Sequence, residues 1–339
     1  MLPIFLLLLF GLLASIAVGA AFTAWKMTHP PRRTYASAVA AGKPGDPSEL
    51  DRPRPFETRR IDTPHGEVEA WLIEGHAPHG PVILFAHGWA SSKLSALPRV
   101  DTFARHARRL VAIDLPGHGD STGWSALGGL EPETIDAIAT QLLVPPSELV
   151  LAGSSMGATS ALAGAAHIES RERAPVAGLI LEGIYRDAWT PLWRTLERDG
   201  KPWRIIGRLA LALVNVSARR SLSRHRFDRV HAARQVSAPI LFIHADEDEI
   251  APLDGARAVA DAARQGSVHV ISGAAHHELW MPEHATDTAQ AIDTFLGALT
   301  TPSSPAPGST TRAEGERADP EQGSRTGGRD EEEPTAART

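Results

Sequence analysis

The chain has 339 residues, 42% of them hydrophobic and 22% charged, with a formal net charge of −6. That is the composition of a globular protein and gives no electrostatic footprint for nucleic acid. It contains no cysteine, which excludes disulfides, thiolate metal sites and cysteine nucleophiles, and its length fits one α/β domain of about 200 to 250 residues plus terminal appendages.

The first 25 residues, MLPIFLLLLFGLLASIAVGAAFTAW, carry no charged side chain and precede Lys26, Arg32 and Arg33. Residues 1–25 are therefore expected to form a single-pass membrane anchor. The alternative is a cleaved secretory signal and a secreted protein, with Ile4 to Leu13 as apolar centre and Val18-Gly19-Ala20 as cleavage site. The uncharged start favours the anchor. The basic flank points only weakly to a cytoplasmic domain, so the side of the domain stays open. Residues 26–55, with THPPRRTY, GKPGDP and RPRP, read as an extended Pro/basic linker. Residues 300–339 lack an apolar period and are rich in Pro, Ser, Thr, Gly and charge, which predicts a disordered tail.

Between these ends, short apolar runs alternate with helical patterns over a domain of residues 56–299. Strands are expected at 68–74, 82–86, 110–114, 149–152, 176–181, 239–244 and 268–271. Helices are expected at 100–108, 132–143, 156–168, 253–264 and 287–299. Such alternation predicts a mostly parallel central sheet flanked by helices on both faces, with ligand sites at the strand C-termini.

One strand end stands out. LVLAGSSMGATS holds G-x-S-x-G, in which small residues two before and two after a serine let backbone cross closely beneath a sharp strand-to-helix turn. Gly153 and Gly157 frame Ser155. Ser154 would instead have Ala152 and the long Met156 at those places, so the spacing selects Ser155. A serine nucleophile needs a histidine base held by a carboxylate. Candidates follow two later apolar runs, in Ala245-Asp246-Glu247-Asp248-Glu249-Ile250-Ala251-Pro252 and Ser272-Gly273-Ala274-Ala275-His276-His277.

With these residues the chain resembles the α/β-hydrolase superfamily, most nearly the serine hydrolases typified by monoglyceride lipases, serine aminopeptidases and membrane-anchored α/β-hydrolase-domain proteins. VILFAHGWASS is similar to the family's His-Gly-x oxyanion loop and VAIDLPGHGDSTG to its strand-4 signature. PILFIHADEDEIAP is similar to the acid loop and ISGAAHH to the histidine loop. The resemblance implies an α/β-hydrolase fold with a short helical cap between strands 6 and 7, at about residues 183–236. Its motifs assign the acid to Asp248, with Asp246 in reserve, and the base to His276. His277 is a candidate substrate contact. The resemblance also implies an oxyanion hole from the backbone N–H groups of Trp89 and Met156, and gives His87 and His118 turn-bracing roles.

The resemblance thus implies a serine esterase working through an acyl-enzyme, with a small-molecule or lipid ester as substrate. A peptidase or thioesterase on the same triad, and a non-catalytic membrane-anchored binding module, are the alternatives. The cap segment IIGRLALALVNVSARRSLSRHR is apolar and then basic. It reads either as a lid facing lipid, with Arg219, Arg220, Arg224 and Arg226 toward anionic headgroups, or as a helix packed on the body with a solvated basic end. No metal and no cofactor are expected: His76, His79 and His284 belong to no ligand set, and no phosphate loop is present. The oligomeric state is not readable.

Overall fold

The computed structural model describes residues 2–198 and 204–300. The chain opens with a long helix, α1 (Leu2–Thr28), then a short α2 (Tyr35–Ala40) and the hairpin β1 (Phe56–Thr63) and β2 (Gly66–Glu74). Strands and helices then alternate through β3 (Val82–Ala86), α3 (Val100–His106), β4 (Arg109–Ile113), α4 (Glu131–Gln141), β5 (Leu149–Ser154), α5 (Met156–Glu172) and β6 (Gly178–Glu182). Between β6 and β7 (Ile240–Ala245) lie α6 (Trp189–Arg198), α7 (Arg204–Ser217), α8 (Arg224–Phe227) and α9 (Arg229–Gln235), where the cap was expected. The domain closes with α10 (Leu253–Ala260), β8 (Gly266–Ile271) and α11 (Pro282–Thr300).

The eight strands form one sheet in the order β1-β2-β4-β3-β5-β6-β7-β8. β2 runs antiparallel to both β1 and β4, and every other pairing is parallel. This is the expected mostly parallel sheet. The sequence reading did not include β1, whose only buried residue is Ile61. An edge strand with a single buried side chain has no apolar alternation to detect.

Strand residues point alternately to the two faces. On β3, Val82, Leu84 and Ala86 join one core cluster while Ile83 and Phe85 join the other. Helices α4, α5, α9 and α10 cover the first face, and α3 and α11 the second. Both faces are therefore dry, and burying a side chain such as Phe85 contributes roughly 1.5 to 3 kcal/mol. α5 is built from small residues so that it lies close to its neighbours. A Cβ at Gly164 would sit 3.0 Å from Ile135 Cγ2 on α4.

Two expectations for the N-terminal part change. The helix runs three residues past the apolar stretch, to Thr28, whose carbonyl accepts the Ser125 amide at 2.9 Å. The following stretch is docked on the body and is not an extended tether. The Arg32 guanidinium donates to the carbonyls of Gly119 at 2.8 Å and Ser121 at 2.6 Å, and buried Arg54 pairs with Asp101 at 2.7 Å. Basic residues that read as tether composition satisfy loop carbonyls and a helix carboxylate instead. The tail expected at 300–339 lies, beyond Thr300, outside the described residues.

Candidate active site

Ser155 stands between β5 and α5 with φ 53° and ψ −114°, a conformation sparsely populated by non-glycine residues. The neighbouring glycines show why the turn is possible. A Cβ at Gly157 would lie 2.0 Å from the Ala86 carbonyl oxygen, and one at Gly153 would lie 2.5 Å from the Gly157 carbonyl carbon. Neither position accepts a side chain. The Ser155 amide donates to the Glu182 carbonyl at 2.8 Å, which ties the turn to the end of β6.

Three side chains from separate loops meet here. Ser155 Oγ lies 2.9 Å from His276 Nε2, and His276 Nδ1 lies 2.6 Å from Asp248 Oδ2. With the proton of neutral His276 on Nδ1, the imidazole donates to Asp248 and accepts from Ser155. The other oxygen of Asp248 accepts the amides of Ile250 at 2.9 Å and Ala251 at 2.7 Å, which fixes the carboxylate. Asp248 is buried, whereas Asp246, Glu247 and Glu249 are exposed.

Asp246 has a different task. Its oxygens accept Ser272 Oγ at 2.9 Å and the Gly273 amide at 2.7 Å, joining the acid loop to the loop that carries His276. The Ser272 hydroxyl holds the Asp246 carboxyl below its ordinary pKa. His277 packs edge-on against His276, ring centres 4.7 Å apart, and is exposed.

Met156 is the first residue of α5, so its amide belongs to the unsatisfied N–H groups at the positive end of that helix. Across from it, Gly88 brings the loop after β3 so close that a Cβ there would be 3.3 Å from Ser155 Cβ. Trp89 follows directly. Its indole, 45% exposed, donates from Nε1 to the Met27 carbonyl at the end of α1, at 2.9 Å.

His87 and His118 lie buried behind this loop. His87 Nδ1 donates to the Gly88 carbonyl at 2.7 Å, and Nε2 accepts the Leu115 amide at 2.9 Å. His118 Nδ1 donates to the Pro116 carbonyl at 3.1 Å, and burial pushes the His87 pKa down to about 4 and that of His118 to about 3, so both rings are neutral.

Sequence reasoning missed two groups. His244, at the end of β7, read as part of an apolar run. It is fully buried behind Asp248, 3.5 Å from Oδ2, donates to the Ala251 carbonyl at 2.6 Å, and burial holds its pKa below the ordinary value. The second is Glu182, buried at the end of β6, which accepts Arg99 Nε at 3.0 Å and Trp280 Nε1 at 3.1 Å. Its signal, a lone acid closing an apolar strand, is visible only in hindsight. Elsewhere the carboxylates of Glu69, Asp114 and Asp120 converge like a metal site, but Lys93 Nζ lies 3.1, 2.6 and 2.9 Å from them and supplies the positive charge.

A mostly parallel eight-stranded sheet with helices on both faces and a helical segment between β6 and β7 defines an α/β-hydrolase. The chain belongs to the alpha/beta hydrolase family, whose model matches residues 83–291. It is 27% identical over 277 residues to a 2-hydroxy-6-oxononadienedioate/2-hydroxy-6-oxononatrienedioate hydrolase of Paraburkholderia phymatum, covering 70% of this chain and 89% of the relative. It is 27% identical over 256 residues to a pimeloyl-[acyl-carrier protein] methyl ester esterase of Xanthomonas campestris, covering 65% and 97%. It spans only 45% of a longer relative, a biotin biosynthesis bifunctional protein of Cellvibrio japonicus, at 26% identity over 59% of this chain.

Among solved structures, an esterase of Pyrococcus furiosus superposes with a TM-score of 0.62 at 16% identity, over 81% of this chain and 98% of that one. A membrane phospholipase A, a bacterial virulence factor, superposes with a TM-score of 0.54 at 21% identity, over 87% and 98%. At these identities the likeness concerns the fold. Family and relatives together make the chain a hydrolase.

Proposed function

We propose that the protein is a membrane-anchored serine hydrolase that cleaves carboxylic esters through Ser155, His276 and Asp248. The observation that carries this reading is the continuous hydrogen-bond line from Ser155 Oγ through His276 to Asp248, at 2.9 and 2.6 Å. The esterase among the relatives supports the ester bond as substrate.

In this mechanism His276 Nε2 takes the Ser155 proton as Oγ attacks the ester carbonyl carbon. The carbonyl π electrons move to oxygen, and that oxyanion is held by the amides of Trp89 and Met156, each contributing about 3 to 4 kcal/mol to the transition state. The imidazolium is stabilised by Asp248. It then gives its proton to the departing alkoxide, leaving an acyl-enzyme on Ser155. Water, deprotonated by His276, attacks the acyl carbon in turn. Ser155 leaves with the returned proton, and the carboxylic acid is released.

The anchor is α1, a 27-residue helix whose most apolar 18-residue window has a mean hydropathy of 2.6 and is only 6% buried. Placing the enzyme at a lipid surface favours esters with longer acyl chains. The testing experiment compares p-nitrophenyl esters of increasing chain length, acyl thioesters and aminoacyl anilides, with wild type and Ser155→Ala side by side. Ester turnover that disappears in the variant, rising with chain length, supports the reading. Preferential cleavage of anilides or thioesters, or ester turnover that survives Ser155→Ala, overturns it.

A further inference from the structure

The helix α1 divides into two parts. From Leu2 to Ser15 every residue is exposed, but from Ile16 through Thr28 every third or fourth residue is covered, which marks one helix face in contact with the body. That face lies on α7. A Cβ at Gly19 would be 3.1 Å from Ile206 Cδ1, while Ala24 and Met27 pack on the cluster that holds Leu211 and Val214. α1 and α7 therefore pack side by side.

The free part of α1, residues 2–15, is about 21 Å long at 1.5 Å per residue, while a bilayer's hydrocarbon core is about 30 Å thick. An anchored α1 cannot span the core on its free part alone. Its covered part must enter as well, and α7 is attached to it at that level.

The surface of α7 fits that depth. Gly207, Ala210, Leu211 and Val214 face inward and are buried. Ile205, Leu209, Leu213 and Val216, which share another face at about 100° per residue, are 43 to 70% exposed. This apolar stripe borders the side that carries Ile206 and hence α1. Along its opposite edge Arg204 pairs with Glu197 at 2.6 Å and Arg208 lies over the Trp193 ring, so the charged side chains turn toward α6 and leave the stripe itself apolar.

We propose that the outward stripe of α7 is a second membrane contact, continuous with α1, whose apolar side chains face the lipid beside the anchor. The proposal rests on reading α1 as an anchor. Its consequence is that the cap of the enzyme, and not only its tether, touches the bilayer.

Because the chain has no cysteine, a single introduced thiol reports one place at a time. Full-length protein carrying Leu6→Cys, Leu209→Cys, Val216→Cys or Glu172→Cys is labelled with an environment-sensitive fluorophore. It is then reconstituted in vesicles of phosphatidylcholine and phosphatidylglycerol containing spin-labelled acyl chains. Glu172 closes α5, about 25 Å from the elbow, and serves as the water-exposed control. Turnover of a short soluble ester, unchanged in the labelled proteins, verifies that they are folded.

Quenching at Leu6, Leu209 and Val216 that exceeds the control several-fold supports the proposal. Quenching at Leu6 with Leu209 and Val216 at the control level overturns it and leaves the anchor standing. No quenching at Leu6 removes the anchor reading and the proposal with it. Labels on α7 that are shielded from lipid, in variants whose unlabelled thiols cross-link to a second copy, overturn it in favour of a subunit interface.

Discussion

Trp89 Nε1 donates a 2.9 Å hydrogen bond to the carbonyl oxygen of Met27, which joins the loop proposed to hold the oxyanion to the last turn of the N-terminal helix. The helix end has unsatisfied carbonyls, and the indole satisfies one of them. Trp89→Phe keeps the ring and the backbone amide but removes the donor. The expected loss is about 1 kcal/mol of stability, with ester turnover reduced only a few-fold, read from thermal unfolding in detergent and initial rates. Unchanged unfolding would show that the bond contributes nothing.

The elbow depends on two positions that hold no side chain. Gly157→Ala forces a methyl group to within 2.0 Å of the Ala86 carbonyl oxygen. The backbone must shift, at a cost of about 3 kcal/mol, and the serine moves out of line with its histidine. Ester activity should fall below detection although every proposed catalytic side chain is present. A Gly157→Ala protein with wild-type melting temperature and activity would refute the packing argument.

Asp248 and Asp246 are separated by one residue and differ in burial and partners. On the proposed mechanism, Asp248→Asn leaves His276 without its charged partner and lowers kcat roughly a thousandfold or more. Asp246→Asn loosens the link to Ser272 and Gly273 and should stay within a few-fold of wild type. Equal losses from the two substitutions, measured as kcat on one short ester, would reverse the assignment.

The buried pair His87 and His118 makes stability depend on pH. Their folded pKa values lie near 4 and 3, against an ordinary value of 6.5. Between these limits the unfolded chain binds more protons, so stability rises with pH. The contribution is fully present above about pH 6.5 and is lost as the pH falls toward 4, on the order of a few kcal/mol. Chemical denaturation at a series of pH values should show this slope, and His87→Gln should make it shallower. A flat profile from pH 6.5 to 4.5 would contradict the neutral, buried state of the two rings.

Much of the site was legible because its chemistry is coded by local spacing. Gly153 and Gly157 could be assigned from steric need alone, and the distances at both positions bear out that need. The parallel strands were legible as continuous apolar runs. What escaped depends on contacts between distant segments. β1 carries one buried residue and no alternation, His244 reads as part of a strand, and the docking of Arg32 and Arg54 depends on carbonyls and a carboxylate far along the chain. The α1–α7 contact was hidden for a related reason: a uniformly apolar helix does not announce which of its faces is taken.

The most direct measurement is of the covalent bond that the mechanism requires. Full-length protein treated with a fluorophosphonate and digested for mass spectrometry should carry one adduct, on Ser155. Ser154→Ala should label like wild type, and Ser155→Ala or prior His276→Ala should abolish labelling. An adduct on Ser154, or labelling that persists in Ser155→Ala, would contradict the account.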